Sequence, residues 1–156
     1  MRVAVITAST PIYRGQEEDA SGKVIRHILE EAGHDIVFQK ALPCDKTVLY
    51  TVMQRMVDGE LADLILTTGG AGCAAGDCMP EATMEIVDRP VPGIPEAMRA
   101  YTSQMTKRAM LNRSAAGIRG NVLIVNLPGK PGAAKHCLEY ILPEITHAVK
   151  LIQKQV

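Results

Sequence analysis

Residues 66–83, LTTGGAGCAAGDCMPEAT, run from the end of an apolar strand into a glycine-rich bend, then an acid, then a proline-led helix start. Glycines at 69, 70 and 72 open backbone conformations closed to other residues and let main-chain N–H groups approach a ligand. Asp77 and Glu81 place carboxylates beside that backbone. A polar loop leaving a buried strand is where α/β proteins usually bind anions or nucleotides. The same stretch therefore speaks to the fold and to a candidate site.

Outward from this loop, strand and helix patterns alternate. Residues 3–7 are short, β-branched and apolar without alternation, as in a strand covered on both faces. Ser21 is placed to cap a helix whose apolar positions are Val24, Ile25, Ile28 and Leu29, ending at Gly33. Residues 36–38 read as a second strand. Asp45 or Thr47 then caps a helix carrying Val48, Leu49, Val52, Met53 and Met56, stopped near Gly59. Residues 64–67 form the third strand, and Pro80 suits the first turn of a short helix reaching about Val87.

A Pro/Gly-rich stretch at 90–95 leads into a helix over about 96–109. Residues 115–118 read as a short extra strand before a Gly120-Asn121 turn, and 122–126 as another buried strand entering Leu-Pro-Gly-Lys-Pro-Gly. From Ala133 the chain is helical, with Pro143 expected to break or restart it. The pattern predicts one domain over residues 1–156, of class α/β: a three-layer α/β/α sandwich around a mostly parallel sheet.

Composition narrows the function. Seventeen basic and seventeen acidic residues cancel, and only 3% of residues are aromatic, with no Trp. Neither a general attraction to nucleic acid nor a base-stacking platform is expected. No apolar run reaches the roughly 18 residues of a membrane helix. Strand-like sequence from Arg2 leaves no room for a signal peptide, so the cytoplasm is the expected compartment. Cys44, Cys73, Cys78 and Cys137 lack paired zinc-site spacing and read as reduced thiols. The four histidines show no ligand spacing either. Met53, Met56, Met98 and Met105 read as core or subunit interface.

Two familiar phosphate loops fail on position. The run Gly70 to Ala75 imitates GxGxxA, but that fingerprint belongs to the first strand–helix turn, and here it follows the third strand. Neither Gly22-Lys23 nor Gly129-Lys130 has the glycine and hydroxyl residue of a Walker loop at the required spacing.

The whole pattern has a closer likeness. Thr67-Thr68-Gly69-Gly70-x-Gly72, Asp77 and Pro80-Glu81-Ala82-Thr83 resemble the signature of the molybdopterin-binding MogA/MoaB family, to which the gephyrin G domain belongs. The likeness extends through Glu17-Glu-Asp19-x-Ser21-Gly22, Pro92-Gly93, Met98 and Ala116-Gly-Ile-Arg-Gly120. It resumes at Leu123-Ile-Val-Asn-Leu-Pro-Gly129 and Cys137-Leu-Glu-Tyr-Ile-Leu-Pro143, and so covers nearly the whole chain.

The resemblance implies an α/β/α sandwich assembled as a homotrimer or homohexamer. It also implies adenylylation of molybdopterin by MgATP, with the pterin's terminal phosphate attacking the α-phosphorus and pyrophosphate leaving. Thr68, Gly69, Gly70, Gly72, Glu81, Pro128, Gly129 and Lys130 would then bind the small molecules. Asp77 and Asp45 would be the catalytic and magnesium-binding acids. Arg14, Lys23, Arg113, Arg119 and Lys130 could supply positive charge. A later-acting molybdenum-insertion protein is an implied partner.

The chain also departs from that family. Relatives carry an aspartate directly after a proline at the end of the second strand; here that place falls on Cys44, and Asp45 comes one residue later. A thiol is a poor ligand for magnesium, which takes hard oxygens. Asp45 either substitutes for the missing acid or only caps the next helix. Gly76, Ala71, Met79 and the first loop, Ala8-Ser-Thr-Pro11, replace family residues that are mostly polar. Two functions remain open: a molybdopterin adenylyltransferase, or a non-catalytic molybdopterin-binding or carrier protein.

Overall fold

The computed structural model describes residues 1–154. Its elements are β1 (Arg2–Ala8), α1 (Thr10–Tyr13), α2 (Ala20–Glu31), β2 (Asp35–Leu42), α3 (Lys46–Asp58), β3 (Leu64–Thr68), α4 (Met79–Ile86), β4 (Arg89–Pro90), α5 (Gly93–Ser103), β5 (Ala116–Arg119), β6 (Val122–Leu127) and α6 (Pro131–Ile152). A single 3-10 turn, Lys107–Leu111, follows α5. The strands form one six-stranded sheet in the order β2-β1-β3-β6-β5-β4. β2, β1, β3 and β6 are parallel, while β5 and β4 are antiparallel to their neighbours.

The sheet is covered on both faces, which is why β1 reads as apolar without alternation. Val3 and Val5 join a core with Ile25, Leu29, Met98, Leu138, Ile141 and Ile145, so that face lies under α2, α5 and α6. Ala4, Ile6 and Ala8 face the other way, into a core with Leu49, Met53, Met56, Met79 and Ile86 from α3 and α4. The expected three-layer α/β/α sandwich is the observed architecture. Burying such side chains contributes roughly 1.5–3 kcal/mol each and dominates the folding free energy. Met53, Met56 and Met98 are core, whereas Met105 is exposed.

Several boundaries differ from the sequence expectation. α2 is capped by Asp19, whose carboxylate accepts the Gly22 N–H at 2.9 Å; Ser21 lies inside the helix. β2 runs over eight residues because its whole length pairs with β1, and pairing overrides weak local pattern. α5 stops at Ser103, and the Thr106 hydroxyl accepts the Arg108 N–H at 3.2 Å, a local bond that competes with continued helix. α6 passes through Pro143 without ending. Pro143 and Glu139, whose carbonyl loses its partner, are both exposed, while Cys137, Leu138, Ile141, Ile145 and Val149 stay buried along one face. Packing of that face outweighs the proline, and water can take the freed carbonyl.

Asp63 ties the amino-terminal edge of the sheet. Its carboxylate accepts the Arg2 N–H at 2.7 Å, the Arg2 guanidinium at 2.9 Å and the Gln153 amide at 2.7 Å. Burial alone would raise its pKa, but these bonds outweigh that and leave it below the ordinary carboxylate range. A depressed folded pKa stabilises the protein above the unfolded pKa, about 3.9, and that stability is lost as pH falls through the folded value. Asp63→Asn should cost about 1–2 kcal/mol at pH 7 in urea unfolding, a discounted figure because Arg2 is half-exposed. The gap from wild type should close as the pH is lowered through the acid range.

Candidate functional site

Because β2, β1, β3 and β6 are parallel, the loops that follow all leave the same edge of the sheet. The chain runs outward from β1 in both directions there, to β2 on one side and β3 on the other, the arrangement that opens a crevice at the strand ends. Gly69 lies at the centre, with φ of +85°; a Cβ on it would stand 2.6 Å from the Ala8 carbonyl oxygen. A Cβ on Gly129, after β6, would stand 3.1 Å from the Gly69 Cα. The ends of β1, β3 and β6 are thus in backbone contact.

Side chains beneath the loops hold them in register. Thr68 Oγ1 donates to the Pro128 carbonyl at 2.7 Å, and Ser21 Oγ donates to the Gly129 carbonyl. Thr7 Oγ1 donates to Asp19 at 2.7 Å, so the residue capping α2 is also tied to β1. Asn126 is fully buried. Its amide donates to Thr67 Oγ1 at 3.0 Å and Thr83 Oγ1 at 2.8 Å, and its carbonyl accepts the Ala115 N–H at 3.1 Å. One amide therefore locks β3, α4 and the approach to β5. A lone Asn inside an apolar strand is the sequence signal for such a lock.

The glycine loop folds back on itself before α4. The Met79 N–H donates to the Gly70 carbonyl at 2.9 Å, and Asp77 N–H to that of Ala74 at 3.0 Å. Asp77 Oδ2 accepts the Ala74 N–H at 3.0 Å, and its Oδ1 accepts no hydrogen bond from the described residues. Glu81, in the first turn of α4, is gripped by both guanidinium nitrogens of Arg113, at 2.8 and 3.0 Å. That grip holds the Glu81 carboxyl below its ordinary range.

Asp45 is exposed and caps α3, accepting the Val48 N–H through Oδ1 at 3.0 Å; Oδ2 takes no hydrogen bond from the described residues. Cys44 beside it is partly buried, its N–H donating to Thr10 Oγ1 at 3.1 Å. Burial first, then the charge of Asp77, pushes the Cys44 thiol up. Cys78 is pushed up by burial and by its acidic neighbours, Cys44, Glu81, Asp45 and Asp77. The structure therefore gathers Asp77, Asp45, Glu81, Cys44 and Cys78 at one edge. Cys73 is exposed nearby, its thiol donating to the Leu111 carbonyl at 3.4 Å.

Concavities open on both sides of the contact between Gly69 and Gly129. One, of about 310 Å³, is bounded by Ser9, Glu17, Ser21, Thr68 and Gly69. The other, of about 410 Å³, is mostly apolar and lies among Gly72, Arg108, Leu111, Asn112, Pro128 and Lys130. Arg108 and Asn112 are lining residues that sequence reasoning did not single out. A larger concavity, about 710 Å³, lies at the opposite edge around Arg2, Glu60, Asp63 and Gly120, with no glycine-loop residue in its lining. The glycine loop and its carboxylates lie at the edge with the smaller concavities.

The candidate cations are dispersed. Lys130 lines the apolar concavity, Arg14 is exposed after α1, and Lys23 pairs with Glu18. Arg119 binds Asp88 at 3.0 Å beside β5, and Arg113 is committed to the glycine loop. No cluster of three His, Cys, Asp or Glu able to hold a metal occurs among the described residues. Within them, no helix is long and apolar enough to cross a membrane.

Comparison with known proteins agrees with this geometry. Residues 4–147 match the family described as the probable molybdopterin binding domain. The molybdopterin adenylyltransferase of Helicobacter pylori strain J99 is 37% identical over 154 residues, 97% of this chain and 88% of that protein. Molybdenum cofactor biosynthesis protein B of Bacillus subtilis is 33% identical over 99% of this chain and 91% of its own. The crystal structure of the molybdopterin biosynthesis enzyme MoaB from Thermus thermophilus superposes with a TM-score of 0.91 at 40% identity, covering 97% of this chain and 95% of that one. Sequence, sheet order and loop geometry converge: the chain belongs to the molybdopterin-binding MogA/MoaB family.

Proposed function

We propose that this chain is a molybdopterin adenylyltransferase of molybdenum- or tungsten-cofactor biosynthesis. In the reaction a phosphate oxygen of molybdopterin forms a bond to the α-phosphorus of ATP, the bond from that phosphorus to the β-phosphate bridge breaks, and pyrophosphate leaves. The carrying observation is the contact of Gly69 with Ala8 and Gly129, which brings two polar loops together with a concavity on each side and Asp77 alongside. Relatives named molybdopterin adenylyltransferase, 33–37% identical over most of the chain, support the same reading.

Two anionic substrates must meet in this reaction, so charge has to be spread at the point of approach. The main-chain N–H groups of the glycine loop and Lys130 are the chain's own contribution. Asp77 and Asp45 would hold the magnesium ion: each has one carboxylate oxygen that takes no hydrogen bond from the described residues, and magnesium uses one or two carboxylates together with substrate phosphates. The ion would offset phosphate charge and orient the leaving pyrophosphate. Thr68 and Ser21 act through the Pro128 and Gly129 carbonyls, fixing the second loop against the first. Thr68, Gly69, Gly70, Gly72, Pro128, Gly129 and Lys130 stay as proposed binding residues, and Glu81 acts through Arg113. Assembly as a trimer or hexamer, and hand-over to a molybdenum-insertion protein, follow as proposals from the family resemblance.

One observation favours a second reading. The side chain beside Asp77 at the end of β2 is a neutral, half-buried thiol, Cys44, and the adjacent Asp45 is engaged as a helix cap. A protein that only holds molybdopterin would bind the pterin without binding MgATP. Titration calorimetry with each ligand separates the two.

With MgATP and molybdopterin, wild-type protein should yield adenylylated pterin and pyrophosphate. Asp77→Asn should lower kcat on the order of 10²- to 10³-fold, the usual range for losing one electrostatic stabiliser. Pterin binding without any adenylylated product would leave the carrier reading.

Asp45→Asn isolates the carboxylate charge from the cap, because Asn caps helices about as well as Asp. Melting should stay within about 0.5 kcal/mol of wild type while turnover falls by about tenfold. Unchanged turnover would reduce Asp45 to a helix cap.

A further inference from the structure

We propose that Arg113 is a positioning residue for the adenylyl transfer, a clasp that sets Asp77 rather than a cation that meets the phosphates. The inference rests on the adenylyltransferase reading and goes beyond it by assigning how the acid is held. Arg113 lies between the 3-10 turn and β5, far from the glycine loop in sequence. Its Nε donates to the Gly72 carbonyl at 2.6 Å and one terminal nitrogen donates to the Asp77 carbonyl at 3.0 Å. Both terminal nitrogens also donate to Glu81. Its backbone N–H donates to the Ala71 carbonyl at 2.8 Å. One residue thus spans the loop from Ala71 and Gly72 to Asp77 and on into α4.

The anchor is itself held. Asn112 Oδ1 accepts the Ser114 N–H at 2.8 Å and its hydroxyl at 2.6 Å, closing a tight turn around Arg113. Arg99, from α5, donates to the carbonyls of Asn112 at 3.3 Å and Ser114 at 3.2 Å. Arg113 therefore reaches the glycine loop from a fixed base, and its planar fork sets the direction of each bond. Glu81 has the complementary task. As a bidentate partner it fixes the guanidinium plane, so that the remaining N–H groups aim at the two carbonyls.

Between those carbonyls, the one other side-chain tie out of the loop among the described residues is the Cys73 thiol on the Leu111 carbonyl, at 3.4 Å. Residues 73–76 are exposed and are Cys-Ala-Ala-Gly, with no apolar side chain anchored in the core. Within it Asp77 spends one oxygen on the Ala74 N–H. Without the clasp, the chord between Gly72 and Asp77 would be held only by the loop's own bonds, the Cys73 thiol and the Met79–Gly70 pair, and widening would carry the second oxygen of Asp77 with it. Misplacing a catalytic group by about 1 Å can cost on the order of 10²-fold.

The test compares Arg113→Gln and Arg113→Lys with wild type in the adenylylation assay and in amide hydrogen exchange of the free protein. Arg113→Gln should lower kcat about 10- to 100-fold and raise the magnesium concentration for half-maximal rate, with little change in KM for molybdopterin. Arg113→Lys keeps the charge but has no fork, and should fail to restore kcat. In both variants, exchange should quicken across residues 72–77 while the buried strands stay protected. Rescue of kcat by lysine, or a loss confined to KM for ATP, would make Arg113 a charge for the phosphates and overturn the proposal. Equal rates in wild type and Arg113→Gln would also overturn it and leave the activity standing. An inactive wild type would refute the adenylyltransferase reading, and with it the role in transfer; exchange at 72–77 would then decide the clasp itself, unchanged protection in Arg113→Gln refuting it.

Discussion

The backbones of Ala8, Gly69 and Gly129 meet where three parallel strands end, and the space between them admits no side chain at 69. The consequences run through the domain. The turn out of β3 must reverse beside β1, which requires a positive φ that glycine alone adopts cheaply. The loop after β6 must then press against that turn, and Thr68 and Ser21 hold its carbonyls down from two sides. With the carbonyls engaged beneath, two chain segments rich in glycine share one rim. A concavity flanks the contact on either side, which is what bringing two separate substrates together demands.

The contact is maintained by burial elsewhere. The sheet is packed on both faces, by α2, α5 and α6 on one and α3 and α4 on the other, so the strand ends cannot slide relative to one another without opening one of the two cores. Asn126 adds direction to that packing. It costs desolvation of an amide in the core, and is tolerated because each of its polar atoms is satisfied. By joining Thr67 to Thr83 it fixes the start of the glycine loop relative to the helix that ends it. At the far edge, Asp63 does similar work for β1, β3 and α6.

Much of this was legible from residue order. Both-face burial of β1 and β3 follows from apolar runs without alternation, and the site's edge follows from polar loops after successive parallel strands. What stayed hidden depends on distance in space. Ser21 and Asp19 are both acceptable caps; Asp19 prevails because Thr7, brought alongside by the fold, orients its carboxylate. Pro143 signals a break, yet the exposed side of α6 absorbs it while the buried side continues. Arg113 reads from sequence as one positive charge among five, and only its contacts distinguish a brace from a phosphate ligand.

The same distinction bears on the acid missing after Pro43. A carboxylate at position 44 would stand beside Asp77, and two like charges at close range resist ionising together unless a cation lies between them. Cys44 removes that demand. The thiol stays neutral because burial and the charge of Asp77 both oppose ionisation, so position 44 adds no second full charge at this edge. On the adenylyltransferase reading, the site would then keep its form before a metal–nucleotide complex arrives. The penalty would fall on binding that complex, since a thiol is not a hard ligand and Asp45 would have to offer its other oxygen while still capping α3. On that reading, position 44 would trade a strong hold on magnesium for a stable empty site.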